Sequence, residues 1–506
     1  MCGRFEGASR GCGKGSLFVS IATAVALVGC SGGGPEGGGN GKKCLHTTPS
    51  GSGKDPFLFN VGGEPETLDP AGVRLPKDLF LVKVFYEGLM RSDGEGKRFY
   101  ALAKEVDVSE EGTLYRFTLR ESEWSDGSPV TSYDFAYAFK RALSPSFEAP
   151  NVSLLYVIKN AKAIKEGRLP SGFLGVETPD AHTLVVRLTR KVPHFLSLVE
   201  HPLFFPVKAG SDGANLGVSN GPFRILKRVP HRCIEAVIRS RHGGEETSAR
   251  TVTIGTEGRT PAIGTPVLRA LGCESSPVLA TEWIKVNGGD PLLRSKKIRR
   301  AFARALNTRE MISGPLRGGR IPATGILPDF FGKKEPDDLT GKGEARPLFE
   351  EGLRERGANE KIVVPLVFIY PEGEENRLLA ETVRNQWRVF PEVEVRLESL
   401  DREEYRRRVD SQEYTFALKE RPVDFNDPVG FLGLFTEEFV GGEEMRAEAL
   451  RYAKLLEESS GLTDESERLF RLRRCEKLLM EETPVIPLCH RVFPLVEEGE
   501  SVFLGK

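Results

Sequence analysis

Residues 124–135 read Trp-Ser-Asp-Gly-Ser-Pro-Val-Thr-Ser-Tyr-Asp-Phe, a stretch that joins a turn to the start of a helix. The segment Ser-Asp-Gly-Ser-Pro at 125–129 consists of residues that favour tight turns. Thr131 then occupies a helix N-cap position, and Asp134 brings a negative charge to the positive end of the helix. The pattern predicts a helix over 133–143 that directly follows the turn.

Outside this stretch, apolar residues recur with the period of a strand or of a helix. Alternating or continuous apolar runs predict strands at 57–61, 113–119, 183–188, 362–369 and 392–397. Helical spacing predicts helices at 78–90, 193–199, 296–312, 401–410, 443–457 and 464–480, the last capped by Thr463. Strands that alternate with helices indicate mixed α/β lobes, and a length of 506 residues is typical of several domains.

The composition argues against several classes of protein. Lys and Arg total 71 against 72 for Asp and Glu, so the net charge of −1 provides no general attraction to nucleic acid. The seven histidines form no His-Glu-x-x-His motif, and no Gly-x-Ser-x-Gly or phosphate-loop motif occurs in the body of the chain. We therefore expect no nucleic-acid partner, no metal site, no cofactor and no enzymatic activity.

The first 55 residues predict a secretion signal and a tether. After three basic residues, positions 17–28 form an uncharged, mostly apolar run with the length of a signal-peptide core, which is short for a membrane span. The run ends in Leu-Val-Gly-Cys at Cys30, a pattern that resembles the bacterial lipobox. We predict a lipoprotein signal peptide at 1–29, a lipid anchor on Cys30 that attaches the chain to a bilayer, and a flexible tether at 30–55.

Five further cysteines are spaced widely: Cys44, Cys233, Cys273, Cys475 and Cys489. This spacing argues against a small disulfide-rich fold and against a Cys-x-x-Cys metal site. One disulfide is compatible with an oxidising compartment, and its pairing stays open.

Several other stretches occur in a characteristic order along the chain. Together with residues 124–135 they are Glu64-Pro65-Glu66-Thr67-Leu68-Asp69-Pro70, Tyr86-Glu87-Gly88-Leu89, Asn220-Gly221-Pro222-Phe223, Ile298-Arg299-Arg300-Ala301-Phe302, Asp424-Phe425-Asn426-Asp427-Pro428 and Pro484-Val485-Ile486-Pro487-Leu488. The set resembles the family 5 extracellular solute-binding proteins, which include oligopeptide and dipeptide receptors of ABC importers. The resemblance covers nearly the whole chain after the predicted signal.

The resemblance implies an α/β, periplasmic-binding-protein-like type II clamshell with two hinged lobes and an extra domain. Lobe I would be discontinuous, comprising 56–87, 207–286 and 489–506. The extra domain II would span 88–206, and lobe III would span 287–488. Two or three strands that cross between the lobes would act as hinges.

The resemblance also implies a function. A monomeric protein, lipid-anchored to a bacterial membrane in the periplasm, would capture short peptides between its lobes and deliver them to an ABC permease in the cytoplasmic membrane. A receptor for many peptides pairs with the ligand backbone as an added strand. The charged ends of the peptide lose water when the lobes close, so each end needs an opposite charge.

In the family, an aspartate in a Trp-x-x-Asp-Tyr-x-x-Pro motif of lobe III holds the amino terminus of the ligand. Asp424 matches this aspartate, with Val423 and Phe425 beside it, while Arg421 stands in place of the tryptophan. Taken without the resemblance, the residues favour a structural role, in which Asp424 shapes the Asn-Asp-Pro turn that ends at Pro428.

Other parts of the chain depart from the family pattern. Cys489-His490-Arg491 replaces an aromatic run that lines the cleft in the relatives, and the segment 232–265 lacks their Asn-Pro-x-Tyr-Trp element. These differences favour a ligand that is narrower in range or chemically different from that of a general peptide receptor.

Further candidate ligand contacts are weaker, and a structural role is favoured for each. Arg74 and Pro76 lie in the segment that pairs with the ligand backbone in the relatives, and Tyr405 lies near an aromatic position of the family on a charged helix that is typical of a solvated surface. The remaining candidates are Tyr156, for which a core position is more usual, and His490 and Arg491, as partners of a ligand carboxylate.

Alternative functions stay open from the sequence alone. A surface or cell-wall lipoprotein that has lost transport would act as a sensor or an adhesin. A receptor for murein peptides, nickel or haem is also represented in the family, although no clustered histidines support the last two.

Overall fold

The computed structural model describes most of the chain after the predicted tether. The described residues are 57–61, 63–93, 97–209, 218–239, 251–256, 263–264, 278, 280–313, 319–331, 345–356, 364–422, 425, 427–462, 464–492 and 495–496. The predicted signal peptide at 1–29, the anchor at Cys30, the tether at 30–55 and the candidates Val423 and Asp424 lie outside them. No helix in the described ranges is both long and apolar enough to cross a membrane.

The described residues form eighteen strands. In chain order they are β1 Phe57–Asn60, β2 Met90–Ser92, β3 Arg98–Tyr100, β4 Ala103–Val108, β5 Leu114–Leu119, β6 Val176–Asp180, β7 Thr183–Arg187, β8 Phe223–Val229, β9 Cys233–Ile238, β10 Thr251–Gly255, β11 Ile263–Gly264, β12 Ala280–Val286, β13 Arg320–Pro322, β14 Val364–Pro371, β15 Val393–Leu400, β16 Phe416–Pro422, β17 Val485–Arg491 and β18 Leu495–Val496.

Twelve α-helices lie in the same described ranges. They are α1 Pro76–Phe85, α2 Ser132–Ala142, α3 Ala161–Lys165, α4 Phe195–Leu198, α5 Lys296–Arg304, α6 Thr308–Ser313, α7 Ala345–Glu355, α8 Glu374–Trp387, α9 Arg402–Asp410, α10 Pro428–Leu432, α11 Glu443–Ser459 and α12 Glu465–Glu482. The five predicted strands are confirmed as β1, β5, β7, β14 and β15, each within a few residues of the predicted bounds.

The larger sheets divide along the chain. One has the order β1-β10-β9-β8 and another has the order β4-β5-β7-β6, so both are built from residues before position 256. The largest sheet has the order β13-β17-β12-β16-β14-β15, and all of its strands lie after position 279. The two small sheets pair β2 with β3 and β11 with β18.

The buried apolar residues divide in the same way. One continuous cluster, which we call the N-terminal core, contains residues between Val61 and Ile254 and one residue from far along the chain, Phe425. The two large clusters of the second half contain residues between Trp283 and Cys489. The chain therefore packs as two halves, and Phe425 is a point at which the second half enters the core of the first.

The turn and helix at 124–135 dock onto the segment before β8. The main-chain amide of Ser125 donates to the carbonyl of Ser219 at 2.7 Å, while Trp124 is buried. The amide of Thr131 donates to the Asp134 carboxylate at 2.8 Å, which closes the first turn of α2 as the sequence predicts. The turn therefore contacts Ser219, which directly precedes the stretch Asn220-Gly221-Pro222-Phe223.

Asn220 and Gly221 continue this contact to the end of α1. The Asn220 side chain donates to the carbonyl of Glu87 at 2.9 Å and accepts from the amide of the same residue at 3.1 Å. The amide of Gly221 donates to the carbonyl of Phe85 at 2.8 Å. A side chain at position 221 would overlap the Phe85 backbone, because its Cβ would lie 2.5 Å from the carbonyl carbon.

Two helix predictions need correction. The single helix predicted at 296–312 is two helices, α5 and α6, because the Asn307 side chain accepts from the amide of Glu310 at 3.1 Å and begins a new helix. The cap of α12 is Asp464 and not Thr463: its carboxylate accepts from the amide of Glu467 at 2.7 Å.

The cysteines of the described ranges differ in state. Cys233 is disulfide-bonded, whereas Cys475 and Cys489 are buried free thiols. Burial raises the pKa of the Cys475 thiol to about 12, so it stays protonated at neutral pH.

Candidate ligand-binding site

Three neighbouring strands of the large sheet end where the chain passes between its two halves. β12 begins at Ala280, β16 ends at Pro422 and β17 ends at Arg491. The pairing register brings these ends together, since Ala280 lies opposite both Pro422 and Arg491. After β17 the chain continues to β18, which pairs with β11. We call the strand ends at 280–282, 420–422 and 489–491 the junction.

One face of the junction carries a network of charged side chains. Glu282 and Arg320 are almost fully buried, with side chains 2% and 5% exposed. Arg320 Nε donates to Glu282 Oε2 at 2.9 Å, and Arg320 Nη2 donates to Glu282 Oε1 at 3.3 Å. This bidentate geometry is the strongest form of the arginine–carboxylate pair and compensates for the loss of hydration.

The network extends toward the surface through Arg491. Its guanidinium lies 3.5 Å from Glu282, 3.4 Å from Glu420 and 3.3 Å from Glu375. Glu375, in the first turn of α8, also accepts from Arg320 at 2.9 Å. Glu282, Arg320, Glu375, Glu420 and Arg491 form what we call the junction network.

The carboxylates of this network differ in their electrostatic environment. Burial by itself raises the pKa of Glu282, but Arg320 and Arg491 outweigh burial and hold the pKa below its usual value. Partial loss of hydration raises the pKa of Glu420, whose side chain remains 36% exposed. The positive charge of Arg491 opposes this rise, and the negative charge of Glu282 adds to it. Glu420 is therefore less well compensated than Glu282.

Cys489 completes the buried end of the network. Its thiol donates to Glu282 Oε2 at 2.8 Å. Burial, followed by the negative charge of Glu282, raises the pKa of the Cys489 thiol well above its usual value. The thiol is therefore a neutral donor that satisfies an oxygen of Glu282.

His490 and Arg491 lie on opposite faces of β17, because successive side chains of a strand alternate. His490 is buried and its Nδ1 lies 3.2 Å from Thr281 Oγ1, with its ring edge-on to Phe431 at 6.3 Å. Arg421 is exposed and pairs in register with Thr281, so it lies on the His490 face. The candidates His490 and Arg491 are therefore not brought together.

Phe425 is buried in the N-terminal core and stacks on His194, which immediately precedes α4. The ring centroids are 5.5 Å apart and the planes differ by 7°. The described residues on either side of positions 423 and 424 are thus held in different halves, since Pro422 lies in the large sheet and Phe425 lies in the N-terminal core.

Asp427 anchors the chain just after Phe425. Its carboxylate forms a bidentate, buried pair with the Arg468 guanidinium, in which Nη1 donates to Oδ2 at 3.0 Å. Asp427 also accepts from the amide of Val429 at 2.9 Å and begins α10. The aspartate three residues after Asp424 therefore has a structural role.

The remaining candidates lie on other elements. The Tyr405 hydroxyl donates to the carbonyl of Leu418 at 2.5 Å, and burial raises the pKa of this phenol. Tyr156 is partly buried against the N-terminal core, Arg74 is exposed before α1, and Pro76 is the first residue of α1. Tyr405 thus ties α9 to β16.

Sequence reasoning missed most of the junction network, namely Glu282, Arg320, Glu375 and Glu420. The available signal was the pair of charges, Glu282 and Lys285, within the strand-like run Ala-Thr-Glu-Trp-Ile-Lys-Val at 280–286, because a buried strand rarely keeps an unpaired charge. That signal predicts that a partner exists without indicating which arginine it is. Within the described residues, no group of side chains has the arrangement of a metal site.

The contact between His194 and Phe425 predicts a pH dependence of stability. Burial lowers the pKa of His194 to about 4, although the Asp427 carboxylate opposes this, and Nδ1 has no hydrogen-bond partner among the described residues. The unfolded chain binds this proton near pH 6.5. The free energy of unfolding should therefore be undiminished above about pH 6.5 and decline as the pH falls toward 4.

Replacing His194 by Phe keeps an aromatic stack and removes the titration. The free energy of unfolding of His194→Phe, from urea titrations at pH 7, 6 and 5, should fall less steeply with acid than that of the native chain, by up to about 1.4 kcal/mol per pH unit. Burial also lowers the pKa of His201, to about 3. This residue is present in both proteins, so its contribution to the pH dependence cancels in the comparison. Parallel pH profiles would contradict the assignment.

A family model described as bacterial extracellular solute-binding proteins, family 5 Middle, matches residues 99–240 and 250–442. The chain belongs to this family. The match includes both α2 and the junction strand β16, so it covers parts of both halves.

Relatives of this family 5 protein align over almost its full length. The oligopeptide-binding protein OppA of Bacillus subtilis is 26% identical over 513 residues, which cover 93% of each chain. The dipeptide-binding protein DppE of the same organism is 24% identical over 512 residues, covering 93% of this chain and 92% of that protein.

The predicted fold class is confirmed as α/β with the two-lobed type II binding-protein architecture. The solved structure of MppA, a periplasmic murein tripeptide binding protein in its unliganded open form, superposes with a TM-score of 0.67 at 23% identity. The superposition covers 87% of this chain and 92% of that chain.

Proposed function

We propose that this protein is the substrate-binding component of an ABC-type peptide importer. It captures a short peptide between its two lobes and delivers it to a permease in the cytoplasmic membrane, acting as a carrier and not as an enzyme. The observation that supports this most directly is family membership combined with the junction, where the ends of β12, β16 and β17 meet and the chain continues between the two halves. The similarity to OppA and DppE supports a peptide as the ligand.

The domain division follows from the same proposal. Lobe I comprises 56–87, 207–286 and 489–506, domain II comprises 88–206, and lobe III comprises 287–488. The separate N-terminal core supports a division between the halves. β12 lies inside the proposed bounds of lobe I but pairs with β16 and β17 of the large sheet, and β17 runs across the bound at 488. We therefore infer that these two strands are the hinge strands.

Asp424 is the proposed partner of the peptide amino terminus. The adjoining residues Val423, Phe425 and Arg421 shape the surroundings of this carboxylate. Closure of the lobes removes the ammonium group from water, and an opposite charge offsets the loss of hydration. The anchors that flank Asp424 in different halves support this role, because the residue lies in the segment that joins them.

Asp424→Ala should weaken the binding of free-amine tripeptides to pentapeptides by about tenfold or more, since a hydrogen bond to a charged group contributes about 1.5–3 kcal/mol. N-acetylated peptides of the same sequence should lose much less. Isothermal titration calorimetry of both peptide sets checks the difference.

The matched control is Asp410→Ala, which removes an exposed aspartate from the end of α9 and should leave both affinities unchanged. Equal losses for free and acetylated peptides would remove the role of Asp424. If no peptide of these lengths binds the native chain, the peptide-import function itself fails.

We further propose that Cys30 is lipidated after removal of residues 1–29, which holds the receptor at the outer face of a bacterial membrane. Family membership supports an extracytoplasmic location. Two or more acyl chains provide stable anchoring, which a single chain does not. Mass spectrometry of the mature N-terminus tests this, and an unmodified residue at position 30 would contradict it.

A further inference from the structure

We propose that Glu420 receives a cationic group of the ligand, so that the site prefers peptides with a lysine or arginine side chain. This inference rests on the proposed peptide-binding function and assigns a selectivity to it. The structural basis is the junction network, in which Glu420 makes the fewest ion-pair contacts of the three carboxylates. Its side chain is 36% exposed, against 2% for Glu282 and 46% for Glu375, which is bound by both arginines.

The position of Glu420 makes its carboxylate accessible to a ligand at the junction. It lies on β16 two residues before Pro422, at the strand end next to the segment that joins the two halves. It pairs in register with Glu282 on β12, so both side chains lie on the same face of the sheet. Glu282 is inaccessible, whereas Glu420 keeps 36% of its side chain exposed.

Glu282 also makes more side-chain contacts than Glu420 does. Glu282 accepts from Arg320 through both carboxylate oxygens, and it also contacts Arg491 and Cys489. Among the described residues, Glu420 has one side-chain contact, to Arg491 at 3.4 Å. A carboxylate has about four acceptor positions, so Glu420 retains capacity for an incoming donor.

The charge balance of the network favours a cation as that donor. Three carboxylates and two guanidinium groups leave one net negative charge among these five side chains. Arg320 already binds Glu282 and Glu375, and Arg491 already contacts all three glutamates. A ligand carboxylate would add a fourth negative charge to two occupied arginines, whereas an ammonium or guanidinium would complete the balance.

The chemistry favours an organic cation over a metal ion. The described residues contain no cluster of His, Cys, Asp and Glu side chains that could hold a metal ion. A metal ion needs several ligands. A lysine or arginine side chain can instead be held by a single partly buried carboxylate, through a charge-assisted hydrogen bond. The inferred ligand class is therefore a short peptide with a basic side chain.

Arg491 is the positioning residue for this carboxylate. Its guanidinium is shared among Glu282, Glu375 and Glu420, and it connects the exposed glutamate to the buried pair. A charged side chain at position 491, in contact with Glu420, favours selection of the ligand by charge.

Calorimetry of the full mature chain with matched peptides tests the inference. One peptide set has lysine at each position of Ala-Ala-Ala in turn, and a second set has the uncharged norleucine at the same positions. The native chain should bind at least one lysine peptide about tenfold more tightly than its norleucine match. In Glu420→Gln, which keeps the size and a polar group, this ratio should fall to about one.

The matched control is Glu394→Gln on β15, an exposed glutamate of the same sheet that is 57% exposed and pairs with Arg396 at 3.3 Å. It should keep the native ratio. Peptides that bind without any preference for lysine, or a preference that survives in Glu420→Gln, would overturn the inference and leave peptide binding intact. An absence of binding by every peptide would instead reject the proposed function on which the inference rests.

Discussion

Gly221→Ala should destabilise the protein by about 3 kcal/mol or more, because the new methyl group has no space. The added Cβ would lie 2.5–2.6 Å from the main-chain atoms of Phe85 and Tyr86. Backbone atoms cannot rotate away as a flexible side chain can, so the segment must shift. The shift breaks the bond from the Gly221 amide to the Phe85 carbonyl and disturbs the adjoining contact of Asn220 with Glu87.

Urea unfolding followed by circular dichroism measures this effect. Gly433→Ala is the control, because no atom lies within 4 Å of its added Cβ and its backbone is already helical, with φ −58°. That substitution should leave stability unchanged or raise it by about 0.4–1 kcal/mol. If the two variants had equal stability, the close approach of Gly221 to α1 would be incorrect.

Arg320→Ala should lower the free energy of unfolding by about 3–5 kcal/mol, since it leaves the buried carboxylate of Glu282 without its main partner. The nearest remaining cation, Arg491, lies 3.5 Å from Glu282 and is shared with two other glutamates. The hydration lost by Glu282 is therefore no longer offset. The same urea titrations measure the change.

Two comparisons make this prediction specific. The double variant Arg320→Met with Glu282→Leu removes both charges and should lose less stability than Arg320→Ala alone. Arg396→Ala, which removes an exposed pair with Glu394, should cost no more than about 0.5 kcal/mol. A similar loss in Arg320→Ala and Arg396→Ala would show that burial of the Glu282 pair has little energetic consequence.

Much of the local structure could be predicted from the sequence. The alternation at 113–119 and the apolar run at 362–369 correspond to β5 and β14, and the turn with Thr131 and Asp134 begins α2. These elements depend on side chains a few residues apart, whose spacing is visible in the chain. The errors occurred at ends and breaks, where Asn307 and Asp464 compete with their neighbours as caps.

The candidate site was predicted less completely. The family motif directs attention to the segment around Asp424, and the structure adds that Pro422 and Phe425 on either side belong to different halves. Arg491 was named from its place after Leu488, but its partners were not. Glu282, Arg320 and Glu375 lie on separate elements, and no local pattern connects them.

The sequence by itself determined the alternation of strands and helices, the fold class and the family, because these follow from local periodicity and ordered motifs. Only the tertiary structure decided which charges meet at the junction. Glu282 contacts Arg320 and Arg491, which are 38 and 209 positions away along the chain. The strand order β13-β17-β12-β16 brings them onto one face, and burial then makes their pairing energetically necessary.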